Sequence, residues 1–184
     1  MSEVDSTFDI ICRKLPENGI DFLLIGGHAV NHYGYTRATQ DIDFMIATHQ
    51  TEKVRRIMKD AGFTNISVHD IVLFFNRPDE ALRVDFLIVD KDTMSTLLEN
   101  SKEIVYLEKR RIKVPALKDL LAMKIFAIAG SQSQRGDRDL MDVVHLAVIN
   151  ELDFGSDIRP LCAEFGDDSL CEELRNRITE LNDA

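Results

Sequence analysis

Long apolar runs are missing from this sequence. Charged residues interrupt every stretch before it reaches the about 20 residues that a membrane helix requires, so no membrane partner is expected. The N-terminus, MSEVDSTFDIICRKLPENG, is acidic and then mixed. It lacks the basic start and apolar segment of a secretory leader, which predicts a cytoplasmic protein. Cysteine is scarce: Cys12, Cys162 and Cys171 are odd in number and form no CxxC pair. They read as reduced, mostly buried thiols, not as a disulfide or zinc framework. Internal repeats, low-complexity tracts and Pro/Gly-rich linkers are absent as well. Positive charge is also in short supply, with a net charge of -10. A protein that coats nucleic acid is usually basic, because phosphate neutralisation supplies most of that affinity. Any such contact here must use a local patch, either Lys53, Arg55, Arg56 and Lys59 or Lys109, Arg110, Arg111 and Lys113. Solvated helix and loop surface is the plainer reading of both.

What is present is the composition of an ordinary globular chain: 184 residues, 45% hydrophobic and 29% charged. That length allows one domain, or one core with a helical extension. Residues 8–15 carry apolar side chains at helical spacing and stop near Pro16 and Gly19. DFLLIGG reads as a buried strand entering a turn, and HAVNHYG as a helix from the glycines to Gly34. DIDFMIA alternates carboxylate and apolar residues, and a helix over 51–61 ends at Gly62. Strand-like runs follow at 66–76 and at RVDFLIVD, then a helix over 93–99 and a strand pair within 104–114. From Leu117 the pattern is helical: KDLLAMKIFAIAG, DRDLMDVVHLAVI and an amphipathic stretch over 170–181. Pro115 marks the change, which predicts an α/β part over 1–115 and a helical part over 116–184 packed on the same core.

Gly26 and Gly27 stand between a predicted strand and helix, where glycine admits close backbone approach and free helix N–H groups favour phosphate. A tight turn with no ligand is the commoner meaning of a lone GG. No Gly-Lys-Ser/Thr follows, and Rossmann spacing is absent. Asp41 and Asp43 share one strand face, with Ile42 and Phe44 on the other. Two carboxylates side by side repel each other unless a cation lies between them, and Mg²⁺ is a natural occupant. A half-exposed strand with polar residues outward is the simpler account of an isolated DxD. Asp85 sits between Val84 and Phe86 in an apolar run, where a carboxylate is costly unless paired. The alternative partner to a metal is Arg83, through a plain salt bridge, although neighbouring strand positions point to opposite faces.

The run IGGHAVNHYGYTRATQDIDFMI followed by RVDF resembles the signature of the DNA polymerase β-like nucleotidyltransferase superfamily: hG[G/S], then DhDh, then a separate hDh. Within it, the chain is most similar to the minimal bacterial nucleotidyltransferases of the abortive-infection type IV (AbiEii-like) toxin group. That similarity continues through Leu117, Lys118, Leu121, Lys124 and RGDRDLMD, so that it covers residues 20–146. The resemblance implies an α+β nucleotidyltransferase fold, a mixed sheet flanked by helices with a C-terminal helical extension. It implies that Asp41, Asp43 and Asp85 hold Mg²⁺ or Mn²⁺, and that Gly26 and Gly27 lie against the triphosphate of an NTP substrate. Asp85 would hold the ion that lowers the pKa of the attacking hydroxyl, and attack on the α-phosphorus would release pyrophosphate.

Lys124, and with it Lys118, would meet phosphate charge, with a plain helix surface as the alternative. Arg37 and Thr39 are candidates for phosphate or carboxylate partners. Asp139 and Asp142 are three apart on a predicted helix and so share a face. In the toxin group such a pair goes with activity; pairing of Asp142 to Arg135 or Arg138 is the rival reading. The implied reaction transfers an NMP to an acceptor hydroxyl on a tRNA end, a protein or a small molecule. A toxin with a cognate antitoxin is part of the same implication. The contrasting expectation is a catalytically silent nucleotide- or partner-binding module. His28 and His32, four apart, form a possible zinc pair, but no Glu follows as in HExxH and no third ligand is evident. His145 reads as a core or supporting residue. No G-x-S-x-G elbow and no cysteine beside a base support nucleophilic chemistry.

Overall fold

The computed structural model describes residues 6–69, 71–78, 82–106, 110–130 and 135–183. The chain divides into two compact units, one of residues 1–28 and 38–116 and one of residues 29–37 and 117–184. Residues 29–37 thus join the helical unit, although they precede Pro115 by some way.

The first unit opens with α1 (Thr7–Glu17), whose N-terminus is capped by Ser6: its Oγ accepts the Asp9 backbone N–H at 3.2 Å. Phe8, Ile11 and Leu15 recur on one helix face and are buried. The sheet contains β1 (Leu23–Leu24), β2 (Asp41–Ala47), β3 (Thr64–His69), β4 (Val72–Asn76) and β5 (Arg83–Val89). Their order is β1-β2-β5-β4-β3, with β2 and β5 parallel and the other pairs antiparallel. The strand-like run at 66–76 is therefore two strands, reversing between His69 and Val72. No glycine or proline marks that reversal, so periodicity alone runs straight through it. Helix α3 (Thr51–Asp60) joins β2 to β3, and α4 (Lys91–Asn100) starts at Asp90, whose carboxylate accepts the N–H groups of Asp92 and Thr93. A two-stranded sheet, β6 (Lys102–Tyr106) with β7 (Arg110–Val114), completes the unit.

One face of β2 and β5 is apolar throughout. Ile42, Phe44, Ile46, Val84 and Phe86 are buried there with Leu73 and Phe75 of β4, under Phe8, Ile11 and Leu15 of α1 and Val54, Ile57 and Met58 of α3. Phe44 and Phe86 stack at 5.5 Å between ring centroids, and Phe75 meets Phe86 edge-on at 5.9 Å. With that face committed to the core, the alternate residues of both strands are left to the other side.

The second unit is built from α5 (Leu117–Gly130), α6 (Arg135–Ile149), a π-helical turn (Phe154–Ile158), α7 (Arg159–Phe165) and α8 (Asp168–Asn182). Its core gathers Leu120, Leu121 and Ile125 of α5, Val143, Val144 and Ala147 of α6, Leu161 of α7 and Leu174 of α8, with Ala29 and Val30 of α2 (Gly26–His32). Pro160 in the first turn of α7 and Asp167 as the cap of α8 are start signals that hydrophobic spacing did not register.

Phe86 is fully buried in the sheet core. Phe86→Ala is expected to cost about 3–5 kcal/mol of unfolding free energy. Urea titration checks this, and a loss below about 1 kcal/mol would contradict the division of faces.

Candidate active site

Strand pairing brings the three aspartates together. Because β2 and β5 are parallel and in register, Asp43 lies opposite Asp85 and Asp41 opposite Arg83. Paired residues of neighbouring strands project to the same side, so Asp41, Asp43, Arg83 and Asp85 share the face turned from the core. Two segments some 40 residues apart in the chain thus supply one acidic surface.

Arg83 also corrects an expectation. It is two residues from Asp85, not its immediate neighbour, and side chains at i and i+2 point the same way. Its Nε donates to Asp85 Oδ1 at 2.8 Å, and its Nη2 donates to Asp85 Oδ2 and to Asp41 Oδ2, both at 2.9 Å. The guanidinium also lies 5.3 Å from the ring centroid of Phe74, which pairs with Asp85 across β4. Asp85 is 4% exposed. Burial pushes its pKa above the usual carboxylate range; the Arg83 hydrogen bond and charge oppose that, and the Asp43 and Asp41 charges add to it. Arg83 is held even more firmly protonated than an ordinary arginine: burial works against its charge, but the bond to Asp85 and the charges of all three aspartates outweigh it.

Gly26 makes room for Asp43. It has φ +62°, and a Cβ built there would lie 2.0 Å from Asp43 Oδ2. Any side chain at this position would be strained and would collide with the carboxylate. The neighbouring Ile25 N–H donates to the Asp43 carbonyl at 2.9 Å, which continues the β1–β2 pairing up to the glycines. Gly27 is buried.

Among the described residues, no three His, Cys, Asp or Glu side chains form a ready-made metal cage. The donor chemistry still fits a hard divalent cation. Carboxylates face each other across a strand pair, Asp85 is buried, and the neighbouring Asp43 and Asp41 charges add to the cost of its ionisation. Asp41, Asp43 and Asp85 are the residues that would hold such an ion.

The second unit contains its own charged network. Arg37 grips Asp142 with both arms of its fork, Nε to Oδ1 at 2.6 Å and Nη2 to Oδ2 at 2.7 Å. Lys124 Nζ lies 2.7 Å from Asp142 Oδ2 and 2.5 Å from Asp139 Oδ1. The Asp142 side chain is fully buried. Arg37 is protonated more firmly than usual, chiefly through its bond to Asp142, against its own burial. Asn31 fixes the approach, accepting the Arg37 N–H and donating to the Arg37 carbonyl, both at 3.0 Å. Asp139 and Asp142 do share a helix face, but Asp142 is paired with Arg37 from 105 residues away, a partner that local spacing on α6 does not reveal. Lys118 is exposed on α5. Thr39 precedes β2, outside the strand, and its hydroxyl donates to the Asp41 carbonyl at 3.2 Å.

The remaining candidates take structural positions. His28 Nδ1 bonds to the Tyr106 hydroxyl, and His32 contacts the Tyr33 ring. His145 stacks on Tyr35 at 4.0 Å between centroids. In the basic segments Lys53 donates to the Asn18 carbonyl, and Arg55, Arg110 and Arg111 pair with Glu52, Asp9 and Glu103. Lys109 lies outside the described residues. No helix among the described residues is long and apolar enough to cross a membrane.

A family model described as a nucleotidyl transferase of unknown function (DUF2204) matches residues 6–158. No curated protein matches the sequence. Solved structures share the nucleotidyltransferase fold. An antigenic nucleotidyltransferase-like protein from Paracoccidioides brasiliensis aligns with TM-score 0.55 at 20% identity, over 92% of this chain and 89% of that one. ANT(2")-Ia in complex with adenylyl-2"-tobramycin aligns with TM-score 0.57 at 13% identity, over 92% and 95%. The lincosamide antibiotic adenylyltransferase LnuA, lincomycin-bound, aligns with TM-score 0.54 at 16% identity, over 78% and 98%.

Two outcomes follow from the charges. Asp85 binds its proton more readily in the folded chain than at its ordinary value of 3.8, so its ionisation weighs against the fold once pH exceeds the raised value. Asp85→Asn, which mimics the protonated form, should therefore melt higher than wild type at pH 7, and the gain should vanish as pH falls below 3.8. Thermal melts across that range check the sign. Asp142→Ala removes the buried carboxylate that Arg37 and Lys124 share and should cost about 3–5 kcal/mol in urea unfolding. An Asp142→Ala protein that keeps its stability yet loses activity would instead mark a group touching substrate.

Proposed function

This chain belongs to the DUF2204 family of nucleotidyl transferases, and from that premise we propose that it transfers an NMP from an NTP to an acceptor hydroxyl with Mg²⁺ held by Asp41, Asp43 and Asp85. One observation carries the reading: Asp43 and Asp85 stand opposite each other in parallel register on the sheet face that the core does not use. A divalent cation bound there supplies charge neutralisation for the triphosphate and polarises its phosphoryl oxygens. The protein's part is positional. Gly26 admits the Asp43 carboxylate, the β2–β5 ladder fixes its distance to Asp85, and burial of Asp85 makes that residue the one most in need of a cation. In this reading Arg37, Lys124, Asp139 and Asp142 act by holding α5, α6 and the 29–37 segment together, and do not touch the reacting atoms.

The acceptor we propose is a small hydroxylated molecule, in keeping with the tobramycin and lincomycin named for two proteins of the same fold; a tRNA end or a protein side chain are the alternatives. The similarity of RGDRDLMD to the toxin group supports extending the proposal to a toxin restrained by a cognate antitoxin. A second reading draws on Arg83, which already bonds two of the three aspartates: a module that binds nucleotide or a partner without transfer.

Incubation with each α-labelled NTP, Mg²⁺ and, in turn, aminoglycosides or lincosamides, total tRNA and lysate protein separates these readings. Label should move to one acceptor class, and Asp43→Asn should reduce transfer by about 100- to 1000-fold, as loss of a group that stabilises transition-state charge does. NTP binding with no labelled acceptor would favour the silent module.

A further inference from the structure

We propose that Arg83 is a built-in stand-in for the divalent cation: its guanidinium holds Asp41 and Asp85 in the nucleotide-free protein, and metal enters the carboxylate face only by displacing it. The inference rests on the metal-holding role given above to Asp41, Asp43 and Asp85. Three observations support it. First, Arg83 engages both oxygens of Asp85 and one of Asp41, the side chains on which the metal depends. Second, a guanidinium and a divalent ion repel each other, so the same carboxylates cannot serve both fully at once. Third, Arg83 is exchangeable: its side chain is 39% exposed, and the face of Phe74 already supports part of its charge. A released guanidinium therefore has an apolar-backed resting place and access to water.

The consequence is coupling. Metal arriving alone must break the Arg83 pairs without bringing an anion to meet the freed positive charge. Metal arriving with a triphosphate brings negative charge that the guanidinium can meet, and Arg is suited to phosphate by its fork geometry. Metal and nucleotide should therefore bind each other's complexes more tightly than the free protein, and to the same extent in either order. Asp41 and Asp85 would meanwhile be kept neutralised between turnovers, so the acidic face does not need an ion to stay folded.

The test is a Mn²⁺ titration followed by the electron paramagnetic resonance signal of free Mn²⁺. It is run on wild type, Arg83→Gln, Arg83→Lys and Asp43→Asn, and on the double variant carrying Arg83→Gln and Asp43→Asn, each with and without a non-hydrolysable NTP analogue. Arg83→Gln should bind Mn²⁺ alone about tenfold more tightly than wild type and lose most of the nucleotide enhancement. Arg83→Lys, which keeps the charge but not the fork, should fall between. In thermal melts without metal Arg83→Gln should be less stable than wild type, and Mn²⁺ should restore it. Binding that depends on Asp43 but is equally tight with and without Arg83 overturns the inference and leaves the metal reading standing. Mn²⁺ binding that Asp43→Asn leaves unaltered in both backgrounds removes the metal reading and the inference together.

Discussion

Three carboxylates and one guanidinium on a single face of a parallel strand pair impose the constraint on which this structure turns. Register forces Asp43 against Asp85, and alternation forces Asp41 and Arg83 to the same side. Nothing in hydrophobic packing would choose that arrangement, since burial raises the cost of ionising Asp85 and the charges of Asp43 and Asp41 add to it. The fold tolerates it because the opposite face of the same strands is dense with Phe44, Phe75 and Phe86, whose burial is worth several kcal/mol each. A region where charge is crowded against local preference, on a scaffold stable enough to hold it, is the expected mark of a functional site.

The charged network of the second unit uses the same residue types in a different arrangement. Asp142 is buried and bonded by Arg37 and Lys124 in good geometry, so its charge is matched where it stands. A satisfied buried pair of this kind fixes the arrangement of helices more than it adds stability. The first unit's aspartates differ in exposure and in mutual repulsion: Asp41 is 37% exposed, and Arg83 must serve two carboxylates at once. One cluster is closed and matched, and the other is open and contested.

Much of this was legible in the residues. The DID alternation, the separated RVDF and the paired glycines point to the strand face and to Asp41, Asp43 and Asp85 without any coordinates. The mixed sheet flanked by helices with a helical extension is what the resemblance implies, and it agrees with the solved structures of the same fold. What escaped was whatever depends on contacts distant in sequence or on unmarked local chemistry. The reversal between His69 and Val72 has no glycine or proline to announce it. Arg37 finds Asp142 across 105 residues, which no helical spacing on α6 encodes. Arg83 is within reach of the period-two rule, since it lies two residues before Asp85 and so shares its strand face. Gly26 was visible as a turn residue, but its service to Asp43 appears only once β1 and β2 are paired.

The most direct measurement is an anomalous difference map from crystals grown with Mn²⁺ and a non-hydrolysable NTP analogue. The account predicts a peak bound by Asp43 and Asp85, with the Arg83 guanidinium moved off both Asp41 and Asp85. Nucleotide density with no peak at these carboxylates, and Arg83 still bridging Asp41 and Asp85, would contradict it.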